Sequence, residues 1–385
     1  MRRDAPKALS MGGRSALDAF IGSNGALSIL VVLLGFACGT AIILAVGRDP
    51  AGMYLALLQT LTGYNAASGV WNPRYVGEWI TDSMPLILCG MSMGFAARAG
   101  LFNIGAEGQY IAGLTAAQFV ALYFPPIAGL HWALALIAGA LAAAFWGGLV
   151  GWLRARYSVS EVVATIMLNY VAFFLSRYLT RLIPDANTYR TPFFPATAVL
   201  PHAFLDGLTN HSRLSIGIFV VLACVAAYWL VLERTKLGFE LRATGLNRDA
   251  ARYAGIGVDR AFTVSMAIAG AFAGVAGAIV ALGSFPYGRI LSGYDNYGFN
   301  GIAVALVGNS RAGGTLVAGL LFGMLSSAQP LMQSRQIPKE ITWIISGLVV
   351  VFVSLRAAFG RLVEWRAKVA ASKEPQSAAA RSSDE

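Results

Sequence analysis

The chain has 385 residues, of which 57% are hydrophobic and only 12% charged, with a formal net charge of +10 and a mean hydropathy of +0.62. Soluble domains carry about 25% charged residues, so this composition excludes one. Repeated apolar runs near 20 residues match the roughly 30 Å hydrocarbon core of a bilayer. The class that remains is an all-α polytopic membrane protein.

In chain order the pattern gives ten membrane segments, at about 26–47, 80–97, 108–124, 130–153, 161–182, 214–232, 261–284, 298–309, 313–331 and 340–355. A cytoplasmic N-terminal tail (1–25) precedes a transmembrane domain (26–355), and a partly disordered cytoplasmic tail (356–385) follows. The first run is too long for a signal-peptide core and reads as an uncleaved span. With both termini inside, 20 of the 29 Lys and Arg residues fall on the cytoplasmic face, the bias of the positive-inside rule. Topology therefore accounts for the basic excess, and no nucleic-acid partner is expected. Cys38, Cys89 and Cys224 all lie in apolar runs, where cysteine behaves as a small hydrophobe.

Residues 48–79 and 183–213 form two long outer loops with several prolines and aromatics. They are expected as ordered lids or short interfacial helices, or as simple connections. Asn210-His211-Ser212 matches a glycosylation sequon by chance.

Residues 98–113, RAGLFNIGAEGQYIAG, interrupt the apolar pattern with glycines, an asparagine and a glutamate. A second break, SGYDNYGFNG, occupies 292–301 and opens a segment too short to span fully. Lipid cannot satisfy a broken backbone, so such breaks survive only when buried in protein or lining a cavity. Interrupted segments in the two halves of a chain point to a binding site near the midplane between internal repeats. The two breaks are therefore expected to meet and to bound a pathway, with Phe102, Asn103, Glu107, Gln109, Phe299 and Asn300 as lining candidates. Asn103 and Glu107 stand four residues apart and would project together. Glu107 alternatively caps its own helix, where the dipole favours a carboxylate.

Glu161, Thr165 and Asn169 recur every four residues and make one polar stripe on the fifth segment. Such a stripe faces either a partner helix as hydrogen-bonding glue or the pathway. Five small-xxx-small glycine pairs, Gly35/Gly39, Gly90/Gly94, Gly147/Gly151, Gly270/Gly274 and Gly319/Gly323, indicate close helix approach.

The inner loop 233–260 is the one sizeable soluble element on the cytoplasmic face. Asn247 is placed to cap a short helix that Gly255 stops, with Ala250 and Ala251 offering a surface for close docking of another protein. The alternative is a helix resting on anionic lipid. The sequence contains no P-loop, no G-x-S-x-G and no H-E-x-x-H. Its three histidines sit in outer loops without partners at metal-ligand spacing, so neither catalytic chemistry nor a metal site is expected.

GLFNIGAEGQ at 100–109, EVVATIMLNY at 161–170, ATGLNRDAARYAGI at 243–256 and GFNGIAVALVG at 298–308 resemble, in that order, the permease subunits of ABC importers for nucleosides and simple sugars. The nucleoside branch is the most similar group. The resemblance implies a separate ATPase subunit that binds ATP and Mg²⁺, a second related permease forming a heterodimer or a homodimer, and an external substrate-binding protein. It places the chain in a bacterial cytoplasmic (inner) membrane, with no cofactor of its own. It makes the loop at 240–257 the coupling element, with Glu240, Asn247, Ala250, Ala251 and Gly255 its contact candidates. Asn300 departs from the family's frequent Asp, as do Ser160 from its Asn and Arg248 from its Pro. A sugar or riboflavin-like substrate is the alternative within the class. An ion-coupled secondary transporter using Glu107 and Glu161, and a membrane enzyme, are the alternatives outside it.

Overall fold

The computed structural model describes residues 24–66 and 68–354. The two expected tails lie essentially outside that range. Two compact units are distinguished, residues 1–42 with 343–385, and residues 43–342.

The first unit is described through α1 (Asn24–Ala45) and α15 (Glu340–Ser354). A Cβ on Gly35 would stand 2.5 Å from Val349 Cγ2, and one on Gly39 would stand 2.5 Å from Ile345 Cγ1. The missing side chains are what let these two helices touch.

The second unit contains α2 (Ala51–Thr62), α3 (Arg74–Arg98), α4 (Ala106–Tyr123), α5 (His131–Tyr157), α6 (Glu161–Arg181), α7 (Ala203–Thr209), α8 (Gly217–Arg234), α9 (Lys236–Leu246), α10 (Arg248–Tyr253), α11 (Val258–Gly283), α12 (Tyr297–Val307), α13 (Ala312–Ser327) and α14 (Gln329–Ser334). Two small antiparallel pairings join β1 (Tyr64–Asn65) to β2 (Val70–Trp71), and β3 (Arg190–Phe193) to β4 (Tyr287–Arg289). Among the described residues, six helices are long and apolar enough to cross a membrane.

Each expected segment has a helical counterpart, with corrections at the edges. The second helix starts at Arg74 rather than near 80, and α11 starts at Val258 rather than near 261. The loop at 48–79 holds a short helix, α2, one of the expected alternatives, with Met53, Ala56 and Leu57 buried. The loop at 183–213 supplies β3 and α7. His131 is not a loop residue: it opens α5, fully buried, with its ring nitrogens against Thr197 Oγ1 (3.0 Å) and the Val120 carbonyl (3.1 Å).

Helix α11 packs between α4 and α5 by backbone contact. A Cβ on Gly270 or Gly274 would collide with the carbonyl of Ala143 or Gly139 on α5, and one on Gly277 with the Tyr110 carbonyl on α4. The glycines of α5 reciprocate, since a Cβ on Gly151 would lie 2.7 Å from the Phe262 carbonyl. Without a hydrophobic drive between helices in lipid, this close approach supplies the packing that holds the bundle.

Candidate functional site

Helix α3 ends because Gly100 adopts φ +76°, a left-handed conformation that costs a glycine nothing. Leu101 N–H donates to the Ala96 carbonyl and Gly100 N–H to that of Ala97, the paired bonds of a Schellman stop. The chain then crosses residues 101–105 without helix before α4 begins.

Asn103 holds this break together. Its Oδ1 accepts from Gly105 N–H (3.1 Å) and from Gln109 Nε2 (3.1 Å), while its Nδ2 donates to Gln109 Oε1 (2.9 Å) and Ser92 Oγ (3.0 Å). From α6, Asn169 Oδ1 accepts from Gly108 N–H (2.8 Å) and Asn169 Nδ2 donates to the Ile104 carbonyl (3.1 Å). Two amide side chains, Asn103 and Asn169, thus bond backbone groups that the interrupted helix leaves unpaired, and Gln109 holds Asn103 in place, as burial without water requires.

Glu107 corrects the local-capping expectation. Its carboxylate accepts from Asn296 N–H (2.8 Å) and Gly298 N–H (2.7 Å), so it caps the N-terminus of α12 rather than its own helix. The positive end of the α12 dipole points at this charge. Gly298 allows the approach, because a Cβ there would lie 2.5 Å from Glu107 Cα. The two sequence breaks therefore meet, as expected. Asn103 and Glu107 do not project together; they serve opposite sides of the junction.

Tyr110, one turn along from Glu107, donates from Oη to Asp295 Oδ2 (2.7 Å). Asp295 also pairs with the Arg289 guanidinium, through Nη1 at 3.3 Å and through Nη2. Sequence reasoning singled out 292–301 but overlooked Asp295, Arg289 and Tyr110. The visible signal was an acid directly before the helix-starting Asn296.

The expected pathway residues divide in two. Asn103, Glu107, Gln109, Thr165 and Asn169 are buried. All are hydrogen-bonded within the chain, Thr165 Oγ1 to the Glu161 carbonyl (2.7 Å). In this conformation Asn169 bonds from α6 to the break and Glu107 from α4 to the start of α12, whereas Thr165 bonds only within α6, so the glue reading of the polar stripe holds for Asn169. Phe102 and Asn300 reach the surface, and Phe299 is half-buried against Tyr294. Glu161 leaves the stripe to pair with Arg154 at 3.4 Å.

At the basic end, Asn247 caps α10 as expected, with Oδ1 accepting from Asp249 N–H and Ala250 N–H at 3.0 Å each. Gly255 follows at φ +80°. An additional helix, α9, carries Glu240, which stands 3.7 Å from Lys236. Ala251 is a correction: it is 4% exposed and packs inward, so only Ala250 of the two alanines faces out, beside Leu246 (89% exposed) and Tyr253 (96%). Gly245, at the α9–α10 corner, lies against the α3 stop, where its Cβ would be 2.9 Å from Gly100 N. Arg248 Nη2 donates to the Gly100 carbonyl (3.1 Å).

Membrane-length helices, two interrupted segments joined by buried polar side chains and the loop 233–260 seated on one break define a polytopic helical transport protein. Residues 75–354 match the family described as branched-chain amino acid transport system / permease component, and the chain belongs to that family. A guanosine ABC transporter permease protein of Bacillus subtilis, NupP, is 38% identical over 87% of this chain and 95% of its own length. A nucleoside ABC transporter permease protein of Lactococcus lactis, NupB, is 35% identical over 85% and 90% respectively. A glucose ABC transporter permease protein of Haloferax volcanii, TsgB13, is 32% identical over 86% and 88%. The chain is thus a multi-pass membrane permease subunit of an ABC importer, a transport subunit and not an enzyme. Such a permease works with an ATPase and a substrate-binding protein.

Proposed function

We propose that this chain forms the translocation pathway of an ATP-driven nucleoside importer. ATP and Mg²⁺ are bound by the partner ATPase, and a second related permease completes the pathway. The membrane is the bacterial cytoplasmic one, with both termini inside. What carries the mechanistic part is the contact of the α9–α10 corner with the α3 stop at Gly100. A push on α10 reaches residues 101–105 through backbone contacts, and through Glu107 it reaches the start of α12. ATPase docking on Leu246, Ala250 and Tyr253 then moves both breaks together, with Asn247 and Gly255 fixing the ends of the receiving helix and Glu240 bracing α9. Phe102, Phe299 and Asn300 are the junction's accessible side chains, and they face the pathway.

Guanosine and nucleoside relatives at 38% and 35% identity support the substrate class. The glucose relative at 32% favours a simple sugar as the second reading. Reconstitution decides between them: the complete transporter in liposomes with internal ATP, supplied with its binding protein, should accumulate radiolabelled guanosine or uridine. Uptake of glucose without uptake of any nucleoside would replace the nucleoside reading.

A further inference from the structure

Helix α12 is held at its far end as well as at its start. Between α12 and α13, Asn309 and Ser310 both adopt left-handed backbone, at φ +53° and +49°. Two such residues in succession, neither of them glycine, persist only where their surroundings hold them. Within the turn, Asn309 N–H donates to the Leu306 carbonyl (3.1 Å) and Ser310 N–H to the Ala305 carbonyl (2.8 Å). From outside it, buried Tyr228 of α8 donates from Oη to the Ser310 carbonyl (2.8 Å). Gly94 of α3 makes room for this contact, because a Cβ there would lie 2.9 Å from Tyr228 Oη and 3.3 Å from Ser310 Cα. Near the end of α8, Glu233 pairs with Arg98 of α3 at 2.8 Å and with Arg242 of α9. The last turns of α8 therefore tie α9 to the turn that ends α12.

We propose that Tyr228 is a positioning residue for transport, which carries the movement of α9–α10 to the Ser310 end of α12; the proposal rests on the reading that the ATPase docks on α9–α10. The Glu107 clamp already reaches the start of α12. This helix is only 11 residues long. Driven at one end it would pivot about the other, whereas driven at both it shifts as a body. The Tyr228 ring packs against Phe95 (centres 5.6 Å apart) and Phe272 (5.9 Å), contacts that anchor α8 to the bundle whether or not the hydroxyl is present. The hydroxyl is the group that bonds the turn. Its loss takes that partner from the Ser310 carbonyl and frees a strained turn to lag behind α9.

The test measures ATP hydrolysed per molecule imported by the complete transporter in liposomes, with whichever of guanosine, uridine or glucose the unaltered transporter accumulates. Tyr228→Phe keeps the ring and removes the hydroxyl. Gly94→Ala wedges the same contact from the α3 side, and Phe272→Leu loosens the rings while sparing the hydrogen bond. Tyr228→Phe should copurify with normal amounts of ATPase and hydrolyse ATP within about twofold of wild type, yet consume about fivefold more ATP per molecule imported. Gly94→Ala should raise the ratio in the same direction, and Phe272→Leu should lower folded yield with the ratio within about twofold of wild type. A wild-type ratio in Tyr228→Phe would overturn the relay. So would an equal rise in Phe272→Leu, which would reduce Tyr228 to packing, and so would loss of assembly in both Tyr228→Phe and Gly94→Ala, which would make the contact a folding element. Undiminished ATPase association in Leu246→Asp is a separate readout: it sinks the docking reading, and the relay with it, whatever the Tyr228 variant does.

Discussion

Replacing Glu107 by Gln is the most direct probe of the junction. The carboxylate accepts from two backbone N–H groups of the other broken segment, at 2.8 Å and 2.7 Å. Hydrogen bonds to a charged group contribute about 1.5–3 kcal/mol each. In the Gln side chain one oxygen still accepts, but the NH₂ group now faces an N–H donor. One bond is lost, and the charge at the α12 N-terminus goes with it, a further contribution of up to about 2 kcal/mol in buried geometry. The lower cost of burying an uncharged group offsets part of this, leaving an expected loss of about 2–4 kcal/mol. A residue capping only its own helix would lose about 1 kcal/mol. The assay is the rate of thermal aggregation in detergent, read beside nucleoside uptake in cells expressing matched amounts of protein. Glu107→Asp, one methylene shorter, should fall between wild type and Glu107→Gln. A Gln variant with wild-type stability and uptake would refute the clamp.

Further outcomes follow from the packing and surfaces. Gly277→Ala should lower the folded yield by an amount matching about 1–3 kcal/mol, because its Cβ would sit 2.6 Å from Leu114 N in a backbone contact. Gly207→Ala, with nothing within 4 Å, should leave size-exclusion profiles unchanged. Cysteines at Phe102 and Phe299, in a background with Cys38, Cys89 and Cys224 replaced by alanine, should react with a water-soluble thiol reagent in at least one transport state; protection in every state would remove them from the pathway. Leu246→Asp and Tyr253→Asp should insert and fold normally yet reduce copurified ATPase at least severalfold. Ala251→Trp should instead lower the folded yield itself, since Ala251 is buried in its own chain.

Sequence alone determined what local chemistry determines. Hydropathy and length located the apolar helices, although α3 begins well before its expected start and six of the described helices are long enough to span, because burial in lipid constrains every backbone group of a span. Asn247 and Gly255 were legible as helix punctuation, since an Asn cap or a left-handed residue acts within one turn. The spaced glycine pairs announced close packing for the same reason, although not against which helix. Partners across the chain belonged to the tertiary structure. Glu107 meets an N-terminus 191 residues away, so no periodicity could distinguish its own helix from α12. The direction Ala251 faces depended on how α10 lies against the bundle, and Asp295, Arg289 and Tyr110 became a cluster only when β3–β4 and α4 were brought together. Local propensities set where helices begin and stop; which polar side chain satisfies which broken end is decided by close packing, because a buried donor or acceptor takes whatever partner the fold places within about 3 Å of it.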